Sequence, residues 1–96
     1  MTEPYQRLDL WLWCARVARN RADCAKLVTS GRIRLNRQPT DKPHAKLRPG
    51  DVLTIALGGQ DRGVIRVWRV LGLAERRGPA SEARGLYEDL SAPEAG

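Results

Sequence analysis

Apolar residues recur at helical spacing almost from the start of the chain: Leu8, Trp11, Leu12, Ala15 and Ala18 mark one stripe, and Leu10, Trp13 and Val17 a second. This spacing predicts a first helix over residues 8–19, covered on most sides, with Asp9, Arg16 and Arg19 on its exposed strip. Asn20 stands where an N-cap is needed, and Asp23 three residues on completes a capping pair for a second helix over 21–30. Cys24, Leu27 and Val28 face inward on that helix, and Arg21, Lys26 and Thr29 face out. Gly31 is placed to stop it in the left-handed conformation that glycine adopts without strain.

Beyond Gly31 the period changes to two. Arg32-Ile33-Arg34-Leu35-Asn36 alternates polar with apolar, the pattern of a strand whose wet face presents Arg32 and Arg34. Residues 37–46, rich in Pro, Asp, Lys and Gln, read as a loop centred on Lys42-Pro43-His44. Arg48-Pro49-Gly50-Asp51 is a turn, with proline preset for its first corner and glycine for its second. A second strand is expected over 52–57, with Leu53, Ile55 and Leu57 on the core side. Residues 58–63 form a hairpin connection, and 64–73 a long third strand rich in β-branched residues, with Arg66 and Arg69 on opposite faces. Pro79 can open a last helix running to Asp89, which Gly85 weakens by up to ~1 kcal/mol relative to alanine. Residues 1–6 read as a loose arm and 91–96 as disordered.

These elements give an α+β fold: an N-terminal helical pair, a small antiparallel sheet and a short C-terminal helix. The 96 residues suffice for one modest core. The expected division is a domain over 7–73, a helical extension over 74–90, and flexible termini.

Charge adds a direction to this fold. The chain carries 17 Lys+Arg against 11 Asp+Glu, a formal +6. Residues 1–50 hold 11 basic and 4 acidic side chains, net +7, whereas residues 51–96 hold 6 and 7, net −1. A basic half joined to a near-neutral half suggests one face for a polyanion, the alternative being charge that serves solubility alone. MTEPYQ lacks the basic and apolar runs of a signal peptide, and the longest apolar run, 10–15, is far short of the roughly 20 residues that span a bilayer. A cytoplasmic protein without a membrane partner is expected.

Candidate chemistry is sparse. Cys14 and Cys24 show no CxxC or Cys/His ligand spacing and read as small buried hydrophobes with free thiols, an inter-helix disulfide being the alternative. His44 is the only histidine, and neither a P-loop nor a GxGxxG sequence occurs, so no catalysis, cofactor or metal is expected. Trp11 and Trp13 fall at core positions; Trp68, on a strand, is less clear. With no cluster of exposed aromatics, RNA would be recognised by shape and backbone.

The run Arg7-Leu8-Asp9, Trp11-Leu12-Trp13, Arg16, Arg21, Ala25, Gly31, Arg34 and Asn36, then Lys42-Pro43 and Pro49-Gly50-Asp51, resembles the ribosomal-protein S-four type RNA-binding domain. The resemblance implies an L-shaped basic surface that grips structured RNA. Residues 76–83, RRGPASEA, and Leu86-Tyr87-Glu88 are similar to the segment following this domain in the heat-shock protein fifteen group. That similarity implies a non-enzymatic, ribosome-associated rescue factor that binds large subunits left holding peptidyl-tRNA when translation aborts under stress. Carried over by position, the RNA contacts are Arg7, Arg16, Arg19, Arg21 and Lys26 on the helices, Arg32, Arg34 and Asn36 on the strand, and Lys42, His44 and Lys46 in the loop. His44 stands where serine often follows Lys-Pro, and the chain ends in Pro93-Glu94-Ala95-Gly96 where some relatives carry a lysine-rich tail. The expected partners are ribosomal RNA and the large subunit, with tRNA and DNA as further candidates, bound by a monomer. The rival readings are a guide subunit of an RNA-modifying enzyme, a general nucleic-acid module and a plain interaction protein.

Overall fold

The computed structural model describes residues 4–57 and 63–91. The elements run β1 (Gln6–Arg7), α1 (Leu8–Cys14), α2 (Arg21–Thr29), β2 (Ile33–Leu35), β3 (Gln38–Thr40), β4 (Lys46–Leu47), β5 (Val52–Leu57), β6 (Val64–Val70), α3 (Ala80–Ala83), a 3-10 turn (Arg84–Leu86) and β7 (Tyr87–Asp89). Strands β1 and β4 pair as a two-stranded ribbon, and the other five form an antiparallel sheet in the order β3-β2-β5-β6-β7. This is the expected α+β class.

The helix pair packs on one face of the five-stranded sheet. Leu8, Trp11, Leu12, Cys24 and Val28 from the helices meet Ile33, Leu53, Ile55, Trp68 and Val70 from the strands, all buried in one cluster. Burying each large side chain contributes about 1.5–3 kcal/mol, so this contact dominates the fold. Trp11 also donates its indole N–H to the Gly72 carbonyl at 2.9 Å.

Both helices end in the same way. In α2 the Asn20 side chain accepts from the Asp23 N–H at 2.8 Å. Gly31, at φ +79°, then closes the helix, with its N–H on the Val28 carbonyl and that of Arg32 on Leu27. Helix α1 stops at Cys14, not at residue 19, because Arg16 takes the left-handed position at φ +64°, its N–H reaching Trp13 and that of Val17 reaching Leu12. Apolar spacing continues past this stop, and a non-glycine left-handed residue leaves no mark in the sequence.

Other expectations are corrected. The loop at 37–46 contains two strands. Asn36 and Arg37, at φ +52° and +73°, make the two-residue turn that folds β3 back on β2, with Leu35 opposite Gln38. Pro39 lies on β3, the sheet edge, where its missing N–H costs no ladder bond. Gln6 belongs to β1 rather than a loose arm. It is buried, and its carboxamide donates to the Ala74 carbonyl at 2.6 Å and accepts from the Ala74 N–H at 3.1 Å. The third strand ends at Val70, and the last helix yields to β7, where Tyr87 stacks on Trp68 with ring centroids 3.7 Å apart. The Arg48–Asp51 turn forms with Gly50 at φ +96°. The connection expected at 58–63 lies mostly outside the described residues, as does the disorder expected over 91–96; Ser91 itself accepts from the Val67 N–H.

Candidate nucleic-acid interface

The first turn of α1 presents backbone N–H groups with no partner inside the helix. The carbonyls of Ala45 and Pro43 accept from Leu8 and Asp9 at 2.9 and 3.0 Å, and the Asp9 carboxylate accepts from Leu10 at 2.8 Å. The loop carrying Lys42, His44 and Lys46 is therefore docked on the start of the helix. Cross-strand pairing sets Lys46 opposite Arg7.

Asp9 organises the charges here. Sequence spacing puts it on the exposed strip, but the docked loop covers it: its side chain is 7% exposed. Its two oxygens accept from Arg7 Nε and Nη2 at 3.1 and 3.2 Å, and one lies 3.7 Å from Arg21 Nη2. The two arginine side chains stay about half exposed, at 53% and 47%. A guanidinium has five N–H donors, so each keeps donors directed to solvent after binding the carboxylate. One buried acid thus fixes two arginines side by side and leaves the group net positive.

The remaining expected contacts divide. Lys42 and His44 lie on the same loop, both exposed, and Arg19 is exposed just before α2. Lys26 and Arg32 flank a groove of about 610 Å³ whose apolar lining includes Val17, Ala18, Leu27 and Leu57. Arg34 is exposed on β2, between Thr54 and Pro39 of the neighbouring strands. Arg16 turns away from the Asp9 group and donates to the Gly78 carbonyl at 2.8 Å. Asn36 serves the sheet, its carboxamide donating to Asp51 at 3.1 Å and accepting from the Val52 N–H at 2.9 Å.

Three participants escape a reading by position. Arg77 donates to the carbonyls of Trp13 and Ala18 at 3.2 and 3.3 Å, with its guanidinium 5.7 Å from the Trp13 ring. This caps the carbonyl end of α1, which needs donors and favours positive charge. Arg37 is exposed at the β2–β3 turn, and its place between Arg34 and Lys42 in the basic half is the sequence signal for it. Tyr5 lies half exposed beside Lys46, whose Nζ is 4.8 Å from its ring centroid.

Cys14 and Cys24 are buried free thiols. Burial pushes the Cys24 thiol up to about 11 and Cys14 in the same direction, so both are protonated at neutral pH. Among the described residues there is no group of three or more His, Cys, Asp or Glu that could hold a metal, and no helix long and apolar enough to cross a membrane.

The sequence matches the S4 domain family over residues 6–53, the span from β1 into β5. The chain belongs to the S4 domain family. Membership marks it as an RNA-binding protein, and every expected contact from Arg7 to Lys46 falls inside the S4 domain. Heat shock protein 15 of Escherichia coli strain K12 is 39% identical over 85 residues, 88% of this chain and 60% of that protein. The chain therefore spans about three-fifths of that relative's length. The small ribosomal subunit protein uS4 of Thermodesulfovibrio yellowstonii is 34% identical over 73 residues, 76% of this chain and 34% of that one. Among solved structures, the trimeric heat shock protein 15 of Vibrio cholerae superposes with a TM-score of 0.80 at 27% identity, covering 92% of this chain and 84% of that one. Beyond the S4 domain, Arg77 and the residues around it tie the following segment to α1.

Proposed function

We propose that this protein binds structured ribosomal RNA of the large subunit, without catalysing a reaction, and acts in the rescue or recycling of large subunits left with peptidyl-tRNA under stress. The observation that carries the RNA-binding face is the Asp9 carboxylate holding Arg7 and Arg21 together beside the loop of Lys42, His44 and Lys46. Arg19, Lys26, Arg32 and Arg34 extend the positive surface. Phosphate contacts from these groups position the protein, while RNA shape supplies selectivity. Similarity to heat shock protein 15 supports the stress-related role, and similarity to a ribosomal protein supports the ribosomal partner. A cytoplasmic location follows from that partner.

Sedimentation of cell extract through a sucrose gradient tests this reading. Co-migration with free large subunits is the expected result, and a position at the top of the gradient contradicts it. Adding duplex DNA or tRNA as competitor should displace the protein only weakly at physiological salt. The Asp9 group lies within one chain, which supports binding as a monomer, whereas the solved Vibrio cholerae relative is trimeric. Analytical ultracentrifugation at the binding concentration distinguishes the two states.

A further inference from the structure

Tyr5 stands outside the buried core: the residue is 50% exposed and lies just ahead of β1. Lys46 holds its ammonium 4.8 Å from that ring, and Lys46 is also the cross-strand partner of Arg7. An exposed aromatic surface therefore adjoins the cations assigned to phosphate. Beside it opens a cleft of about 550 Å³ lined by Tyr5, Gln6, Leu10, Leu73, Ala74 and Glu75.

The lining selects what can enter. Leu10, Leu73 and the tyrosine ring offer apolar and aromatic surface. The Gln6 carboxamide is engaged at both ends by Ala74 and reads nothing. The remaining charged group, Glu75, is exposed; its carboxylate repels phosphate and accepts from amino groups. A flat, uncharged group with an amino edge fits such a cleft, provided an anionic backbone can stay outside on Lys46 and Arg7. Adenine and cytosine expose amino donors of this kind, and uracil does not.

We propose that one unpaired, amino-bearing nucleobase of the bound RNA stacks on Tyr5 with its flanking phosphates on Lys46 and Arg7. This deepens the RNA-binding reading above and rests on it. The paired region is gripped through its backbone, and the stacked base adds affinity where a helix is interrupted.

Two synthetic RNA duplexes test this with the full chain: one fully paired, the other identical except for a single bulged adenosine. Stacking on an aromatic residue should tighten binding of the bulged duplex by roughly tenfold. Tyr5→Ala should abolish that gain while changing affinity for the paired duplex far less, and Tyr5→Trp should retain it. Replacing the bulged adenosine by uridine should lower the gain, and Glu75→Gln should narrow that difference. Equal binding of the two duplexes by the unaltered protein, or a gain that survives Tyr5→Ala, overturns the inference. Failure to bind either duplex removes the RNA-binding reading and the stacked base with it.

Discussion

The two ends of α1 gather arginines and use them in opposite ways. At the N-terminal end Arg7 and Arg21 share the buried Asp9 carboxylate and remain about half in solvent. At the C-terminal end Arg16 and Arg77 place their N–H groups on the backbone carbonyls of Gly78, Trp13 and Ala18. The acceptor makes the difference. A side-chain carboxylate orients a guanidinium while leaving its outer edge for a second anion, whereas backbone carbonyls from two segments use it as a tie. Net charge alone would have counted all four equally.

The largest expected effect is on the structural end. Arg77→Ala removes two charge-assisted hydrogen bonds and the packing against Trp13, and should destabilise the fold by about 2 kcal/mol while leaving the salt dependence of RNA binding unaltered. Urea unfolding and binding titrations on one preparation measure both. A changed salt slope in Arg77→Ala would erase the distinction between the ends.

Cys24 lies between the two ends, its thiol raised mainly by burial, raised also by Asp9 and lowered by Arg77. Because the folded value is about 11 against 9.0 for the free thiol, the stability held by the protonated thiol is complete below pH 9 and is lost as pH climbs toward 11. At about 1.4 kcal/mol per unit, the loss should reach about 1.4 kcal/mol by pH 10, midway through that window. The stability advantage of the unaltered protein over Cys24→Ala should therefore shrink across that window. An advantage constant with pH would show that the thiol is more solvated than the packing indicates.

Asp9→Asn sharpens the comparison at the binding end. It raises net charge by one, which on charge counting alone should tighten binding to RNA. If Asp9 acts by holding Arg7 and Arg21 in place, affinity should fall instead, by roughly tenfold for about 1.4 kcal/mol of lost preorganisation. Arg16→Ala is the smallest change. The loss of one hydrogen bond to Gly78, about 1 kcal/mol of stability, should be seen with affinity reduced less than about twofold.

Local signals made much of this fold legible. The Asn20 cap, the Gly31 stop and the Arg48–Asp51 turn each depend on a few adjacent residues, and each forms where the sequence placed it. What escaped depends on distant partners. Periodicity put Asp9 on the exposed strip because nothing nearby covers it, and only the loop over Pro43 and Ala45 does so. The Asn36-Arg37 turn lacks the usual glycine and a proline follows at Pro39, so β3 reads as loop. Helical spacing carries on through Leu86, where pairing with β6 and stacking on Trp68 make Tyr87 extended. In the candidate site, residue types marked the basic surface, but Arg16 and Asn36 could be seen to serve the fold only once their acceptors were in place.

The central claim is that Arg7 and Arg21 meet phosphate while the arginines at the far end of α1 do not. Binding of the protein to purified large-subunit RNA, followed as a function of salt, measures this directly. With about four to six phosphates engaged, the log–log slope should be roughly −3 to −5. In Arg7→Ala/Arg21→Ala it should become shallower by about 1.4 to 1.8, from ~0.7–0.9 for each phosphate no longer neutralised. A slope unchanged by the double substitution would contradict the assignment of phosphate binding to the Asp9-held pair.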